Sequence, residues 1–179
     1  VFDLPNIPKQ GGRNVRVFDN IVVDNNTPNF APEGNIVAGV PTGMGIMVMS
    51  HYEVEVFDNI IAENGTGNIL IVSYTKGQND PNYNPKPIGV RVFENKHGRA
   101  GYKPAFPGGD LLKAAFGGAI PPIIDNAVAG ICLCDGGAGF VGRCQRTCRR
   151  RRFGDPVRRS AAQPVGLWLL QGCGGVATQ

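Results

Sequence analysis

The run VRVFDNIVVDNN at residues 15–26 decides the fold, because a near copy, VEVFDNIIAENG, follows at residues 54–65. A shorter third copy, VRVFENKHG, begins at residue 90, so the copies start 39 and 36 residues apart. A second type of segment also repeats, since GIMVMS at residues 45–50 resembles NILIVS at residues 68–73. Self-similarity at such a period is typical of proteins built from stacked structural repeats.

The repeated runs have the composition of short β-strands. They are rich in Val, Ile and Phe and are bounded by Gly, Asn and Asp, which favour turns. No part of residues 1–109 shows a sustained period of 3.6, the spacing of an amphipathic helix. We therefore predict a repeat unit of strand, Asn-containing turn, second strand and turn. One unit cannot bury its own apolar face, so the units must stack in parallel as a solenoid.

Stacking predicts a register, because side chains alternate between the two faces of a strand. We expect the outward positions between the paired valines to form a plus, minus, plus row, since like charges on adjacent strands would repel. A stacked row of Asn should pass hydrogen bonds from one repeat to the next at the turn. The inward residues are Val15, Val17, Val54, Val56, Val90 and Val92, the charged row is Arg16, Glu55 and Arg91, and the Asn row is Asn20, Asn59 and Asn95.

From residue 1 to about residue 125, these repeats resemble the right-handed parallel β-helix repeat proteins of bacteria, in the pectin-lyase-like superfamily. The run DPNYNPKPIGV at residues 80–90 also fits that group. The resemblance implies an all-β fold, a truncated right-handed parallel β-helix, and an extracytoplasmic location, either periplasmic or secreted. The run VFDLP at residues 1–5 is similar to the end of an earlier coil. Residue 1 is not followed by a charged segment and an apolar segment, so we see no signal peptide.

Two rows of the repeat are candidate ligand-binding residues. Aromatic rings can stack on sugars or be covered by another segment, and carboxylates can bind sugar hydroxyls or a Ca²⁺ ion. We expect a polysaccharide or glycan partner, with lyase or hydrolase activity left open, and we assign no cofactor beyond the calcium option. The alternative is a non-enzymatic scaffold or protein-interaction solenoid, and its open ends could also self-associate. The candidates are Phe18, Phe57, Phe93, Asp19, Asp58 and Glu94.

The sequence identifies no catalytic residue. His51, Tyr52 and Glu53 are consecutive on a turn, so their side chains should point in different directions. His97 takes the position that Ile61 has in the preceding copy, which predicts partial burial. Asp110 is predicted to cap the short helical run that follows it. The chain contains no nucleophile elbow, P-loop or dinucleotide fingerprint.

Residues 126–179 differ in composition from the repeat region at residues 1–125. They hold eight Arg, no Lys and all five Cys, whereas Asn falls from 14 residues to one. The Cys spacing fits no standard zinc site, so we predict no metal there. Three interpretations of this irregular Arg/Gly/Cys-rich tail stay open: a frameshifted segment, a genuine basic tail, or a disulfide or metal module.

Charge and hydropathy limit the partners. The formal charge of +4 comes from the tail, because residues 1–125 carry 10 basic and 12 acidic residues. Nucleic-acid binding is therefore expected only if the Arg tail is genuine. The apolar runs are short and interrupted by Gly, so we expect no transmembrane helix.

Overall fold

The structure is a computed structural model that describes residues 1–75 and 79–125, together with the backbone of Ile131–Leu133. This part of the chain is mainly β-structure, with one 3₁₀ helix at Ile36–Gly39 and one short α-helix, α1, at Gly109–Ala115. The strands are β1 (Arg13–Phe18), β2 (Ile21–Val23), β3 (Met44–Met49), β4 (Tyr52–Phe57), β5 (Ile60–Ala62), β6 (Gly67–Val72), β7 (Val90–Phe93), β8 (Lys96–His97), β9 (Ile123–Asp125) and β10 (Ile131–Leu133).

The strands form three parallel sheets with the orders β1-β4-β7-β10, β2-β5-β8 and β3-β6-β9. One pass of the chain, such as β1 to β3, adds one strand to each sheet. Neighbouring strands in a sheet therefore come from successive passes. Val15 pairs with Val54, Val56 with Val92, and Ile46 with Ile69. This register confirms the alignment of the repeats and the all-β class, and it is compatible with a parallel β-helix.

Each pass contains three strands, whereas the sequence analysis predicted a unit of two. The extra strand, β2, β5 or β8, has only two or three residues and follows a two-residue corner. That corner combines an acidic residue in the left-handed backbone region with an Asn, as in Asp19-Asn20 and Asp58-Asn59. Asp and Asn tolerate the left-handed region better than most residues, which explains how so short a turn joins two sheets.

The core lies between the three sheets. Val54, Val56, Ile61, Ile69 and Ile71 are fully buried, so the predicted inward valines of the second pass are confirmed. Val90 and Val92 are also fully buried, while Val15 and Val17 pack against the core and stay partly exposed. Burial of such side chains stabilises the fold by about 1.5–3 kcal/mol each.

Two further observations bear on the chain after residue 108. The predicted cap at Asp110 is wrong: the N-cap is Gly108, in the left-handed region and without a side-chain hydrogen bond, and Asp110 lies inside the helix. Gly can adopt that backbone conformation without steric cost, so it takes the position in place of Asp110. Parallel pairing continues at Ile131–Leu133, which pairs with β7. The other predictions for the tail lie outside the described residues.

Candidate functional site

The outward side chains of β1, β4 and β7 form a charged row, and we call this surface the ladder face. Glu55 lies between Arg16 and Arg91 and forms an ion pair with each, with 3.0 Å from Arg16 Nε to Glu55 Oε2. The Glu55 side chain is only 5% exposed, because both arginines cover it. The predicted plus, minus, plus row is thus confirmed, and its central carboxylate is buried as a shared partner.

The three candidate phenylalanines form a continuous stack on the same face. The centroids of Phe18 and Phe57 are 5.1 Å apart, and those of Phe57 and Phe93 are 5.0 Å apart, with nearly parallel planes. Each ring therefore packs against the face of its neighbour, and the stack presents ring edges to solvent. Phe18 is the first ring of the stack among the described residues, and it is 45% exposed.

The three candidate carboxylates occupy the corners that follow the stacked rings. Asp19, Asp58 and Glu94 all have positive φ, between 53° and 57°, and all are exposed. Their shared backbone conformation forms the left-handed corner from which the next short strand starts. It also places one exposed carboxylate beside each ring along the stack.

Two asparagine ladders cross the corners of the molecule. The backbone N–H and the Nδ2 of Asn20 donate to Asn59 Oδ1 at 3.1 and 3.0 Å, and Asn59 repeats both bonds to Asn95 at 3.1 and 2.8 Å. This confirms the predicted ladder. A second ladder joins Asn25 to Asn64 at 3.1 and 3.0 Å, where the sequence analysis proposed none. The repeated Asp-Asn and Glu-Asn pairs at these corners were the signal for it.

Both histidines contact polar neighbours, and His97 Nδ1 lies 3.4 Å from Asn68 Nδ2. His51 is buried, and its Nδ1 lies 3.2 Å from the backbone oxygen of Tyr52. His97 pairs in register with Ile61 and is half-buried, as its position in the repeat predicted. Among residues 1–75 and 79–125, no group of three or more His, Cys, Asp or Glu is close enough to hold a metal ion. Calcium binding at the corner carboxylates stays a prediction.

A second surface, which the sequence analysis missed, lies on the outward side of β3, β6 and β9, and we call it the apolar face. Met47 pairs with Leu70, and Leu70 with Ile124, so one apolar side chain follows another across the strands. A cavity of about 810 Å³ lies over this face. All three methionines of the chain line it, together with Leu70, Val72 and Phe106.

The segment that borders the cavity is an insertion between β2 and β3. Residues 33–41, which include the 3₁₀ helix, line one side of the cavity. Asn29 holds this segment through its Nδ2, which donates to the backbone oxygens of Val37 and Val40 at 2.7 and 2.9 Å. The sequence signal for this covered face was the unbroken apolar composition of Ile46–Met49 and Ile69–Val72. Strands buried on both faces show such runs, whereas half-exposed strands alternate.

Comparisons with protein-family models, with curated proteins and with solved structures return no match to this chain. No helix within the described residues combines the length and hydropathy needed to cross a membrane.

Proposed function

We propose that the chain is a right-handed parallel β-helix of the pectin-lyase-like type, works outside the cytoplasm, and contacts a neutral polysaccharide along its ladder face. The three parallel sheets, with one strand of each pass in every sheet, support the fold. The two asparagine ladders support it further, because they join equivalent corners of successive passes. The location rests on the resemblance of the repeats.

The observation that carries the glycan proposal is the period of the ladder face. One ring edge and one exposed carboxylate recur with every pass, and passes are separated by about 4.8 Å, the strand spacing of a sheet. A sugar unit in an extended polysaccharide has a similar length. A chain that runs along the stack would therefore meet equivalent groups at each sugar unit.

The chemistry of each repeated contact is complementary to a sugar. Ring edges carry the positive part of the aromatic quadrupole, so they attract the oxygens of sugar hydroxyls and rings. Carboxylates accept hydrogen bonds from sugar hydroxyls and form strong bonds of this kind. The phenylalanines present edges in this stack, so the contact uses ring edges along the flank.

The charges favour a neutral glycan over an acidic one. Asp58 and its counterparts in the adjacent passes, Asp19 and Glu94, are exposed one strand apart. Both neighbouring arginines, Arg16 and Arg91, form ion pairs with Glu55. A polyanion along this row would be repelled by the corner carboxylates, and the repulsion would weaken as salt screens it.

Affinity electrophoresis through gels that contain one polysaccharide each tests this proposal, with xylan, glucomannan and laminarin as neutral probes and alginate as the acidic probe. We expect a neutral polysaccharide to retard the chain, and we expect Phe57→Leu to weaken binding about fivefold, since one ring contact contributes on the order of 1 kcal/mol. Asp58→Asn should weaken binding too, because Asn keeps the left-handed corner but loses the charge.

Phe30→Ala is the matched control, because Phe30 is 89% exposed and lies in the insertion between β2 and β3. It should leave the retardation unchanged. Equal retardation of the chain and of Phe57→Leu, or no retardation by any neutral polysaccharide, would overturn the glycan proposal. Lyase or hydrolase activity, which stays a proposal, is measured on the same samples as new reducing ends or unsaturated products.

The second candidate function is a protein-interaction scaffold. One observation favours it: among the described strands, β1 and β2 are at the edge of their sheets, with Ile21 72% and Val23 45% exposed. Sheet edges with exposed apolar side chains readily pair with another chain. Self-association through this end is one form of that interaction and stays a prediction.

A further inference from the structure

The segments that lead into the strands of the apolar face differ in length from pass to pass. Residues 24–43 join β2 to β3 and residues 98–122 join β8 to β9, whereas only residues 63–66 join β5 to β6. The middle pass therefore has no insertion there, and β6 lies between two passes that have one. The cavity over the apolar face fills this gap, because residues 33–41 of the first insertion and Phe106 of the second both line it.

One end of the cavity is closed by a hydroxyl that joins both insertions. Thr66, only 1% exposed, donates through Oγ1 to Thr42 O and accepts from the Ala105 N–H at 2.9 Å. The donor of this hydroxyl is used and an acceptor site is filled, so this end offers a ligand little polar contact. The same two bonds hold both insertions to the corner of the middle pass.

The cavity is long in the direction of the strands. Its lining follows β6 from Thr66, just before the strand, through Leu70 and Val72 to Ser73 and Tyr74, just after it. At about 3.3 Å per residue, Thr66 and Ser73 lie roughly 20 Å apart. The volume of about 810 Å³ is within the ~300–1,000 Å³ typical of small-molecule sites. An extended small molecule therefore matches the dimensions of the cavity.

The side chains along this length favour a flexible hydrocarbon chain. Met47, Leu70 and Ile124 line it as aligned neighbours of three adjacent strands, and the other two methionines line it as well. Methionine is unbranched and polarizable, so it adapts to a flexible ligand. An extended peptide or sugar chain matches this lining poorly, because its N–H, C=O or hydroxyl groups would lose water without gaining partners.

The end of the cavity opposite Thr66 carries a hydroxyl group without a partner. Ser73 lines the cavity, and its Oγ is buried with no hydrogen-bond partner among the described residues. Buried hydroxyl groups in proteins nearly always have a partner, because leaving one unpaired is costly. A ligand with a hydroxyl group at one end would supply that partner.

Charge limits the head group of such a ligand. Glu33 is the only charged side chain among the described residues that line the cavity. A carboxylate or phosphate on the ligand would be repelled by it, and the repulsion is stronger beside an apolar surface than in bulk water. An uncharged head group avoids this cost.

We propose that the cavity binds a single-chain aliphatic amphiphile with an uncharged, hydroxyl-bearing head group, of the class of long-chain alcohols and monoacylglycerols. The aliphatic chain lies along β6, over Met47 and Leu70, and the head group lies at Ser73. This binding goes beyond the polysaccharide contact proposed for the ladder face, because it uses a different sheet.

Displacement of the uncharged fluorophore N-phenyl-1-naphthylamine from the full chain tests the proposal. We expect saturable uptake of the fluorophore, and its displacement by monododecanoylglycerol below the micelle concentration of that lipid. Glycerol, which is the head group alone, should not displace the fluorophore. Dodecanoate should bind about fivefold more weakly than monododecanoylglycerol, because its carboxylate faces Glu33.

Protein variants locate the binding. Leu70→Trp fills part of the cavity and should weaken the binding of monododecanoylglycerol about tenfold. Ile60→Trp is the matched control, because Ile60 is on β5, outside the cavity, and is 43% exposed. Ser73→Ala should weaken the binding of monododecanoylglycerol about fivefold and leave that of the fluorophore unchanged. Where Leu70→Trp fails to fold, as judged by circular dichroism, Ser73→Ala and the ligand series decide.

Absence of saturable uptake by the full chain would overturn the proposal, and it is the result expected if another segment or a second copy of the chain fills the cavity. Equal affinities of Leu70→Trp and Ile60→Trp would also overturn it, as would displacement by dodecanoate as strong as that by monododecanoylglycerol. Because the polysaccharide test uses Phe57 and Asp58 on the ladder face, either proposal can fail without the other.

Discussion

The ladder face and the apolar face are built on the same backbone period, yet their outward side chains are stabilised in different ways. On the ladder face, each side chain meets its equivalent from the next pass: ring on ring, and carboxylate between guanidinium groups. On the apolar face, the outward side chains are methionine, leucine, valine and isoleucine, and the insertion around the 3₁₀ helix borders them.

This difference shows that a repeated strand does not determine its own outer surface. A face whose side chains pair with each other needs no cover, because polar and aromatic neighbours satisfy one another. A face of aliphatic side chains gains stability only when another segment excludes water from it. The ladder face is therefore stabilised by contacts between equivalent side chains of successive passes, whereas the apolar face depends on the insertion that borders it.

We expect the largest loss of stability from a substitution in the asparagine ladder beside the ladder face. Asn59 is fully buried and its Nδ2 donates to Val17 O, Phe57 O and Asn95 Oδ1. Asn59→Ala should lower the free energy of unfolding by about 3–5 kcal/mol, since each buried group left without a partner costs about 1–3 kcal/mol. Urea denaturation measures this, with the exposed Asn20→Ala as control. A loss for Asn59→Ala no greater than for Asn20→Ala would contradict the ladder's role.

The next effect should come from the charged row. Glu55→Gln keeps the shape of the side chain but leaves Arg16 and Arg91 facing each other across it. We expect a loss of about 3 kcal/mol, typical of breaking a buried ion pair by removing one partner. Glu63→Gln is the matched control, because the Glu63–Arg99 pair is exposed and such pairs contribute little. Similar denaturation midpoints for the two variants would show that burial of Glu55 does not matter.

A smaller effect is expected on the apolar face. Leu70 is half-buried and lies against the existing cavity, so Leu70→Ala should cost about 1 kcal/mol, below the ~2–5 kcal/mol typical of a core leucine. Ile69 is its neighbour in sequence but faces the core and is fully buried. Ile69→Ala should therefore cost more than Leu70→Ala in the same denaturation assay. The reverse order would mean that the insertion covers the apolar face as tightly as the core.

We expect the smallest effect on stability at Asp80, which lies outside both faces. The pKa of the Asp80 carboxyl is lowered, because the Asn6 N–H, the Gln10 side chain and the Asn82 N–H donate to it. The ionised form is therefore the one that stabilises the fold. Its contribution is complete above the ordinary pKa of 3.8 and is lost as the pH falls through the lower folded value. The rate at which pepsin cleaves within residues 79–87 should rise as the pH falls below 3.8. Asp80→Asn should remove this rise without changing cleavage elsewhere in the chain.

Much of the ladder face could be predicted from the sequence, because residues at equivalent positions of a repeat also lie next to each other in space. Val15, Val54 and Val90 mark the register, and the rows that follow from it are present in the structure. The acidic corners were less apparent. Asp19 and its equivalents appear as ligand candidates in a sequence, yet their positive φ shows that the corner also selects residues that tolerate the left-handed region, as Asp and Asn do.

The apolar face could not be placed from the sequence, although its strands gave a signal. The unbroken apolar run at Ile46–Met49 indicates that both faces of β3 are covered, but it does not show which segment covers the outer one. The answer depends on where the insertion at residues 27–41 folds back, and that position is set by contacts between residues distant in sequence. The third strand of each pass was missed for a simpler reason: runs of two or three residues carry too little pattern.

The asparagine ladders also give the stack a polarity. In both ladders the bonds between asparagine side chains run in one direction along the axis, from the Nδ2 of each pass to the Oδ1 of the pass that follows it in sequence. The side chains therefore form aligned rows of dipoles whose two ends differ chemically. Within the stack, each pass therefore offers oxygens to the pass before it in sequence and amide groups to the pass after it. A pass inserted in the reverse direction would set oxygens against oxygens, so the ladders fix the direction in which passes stack.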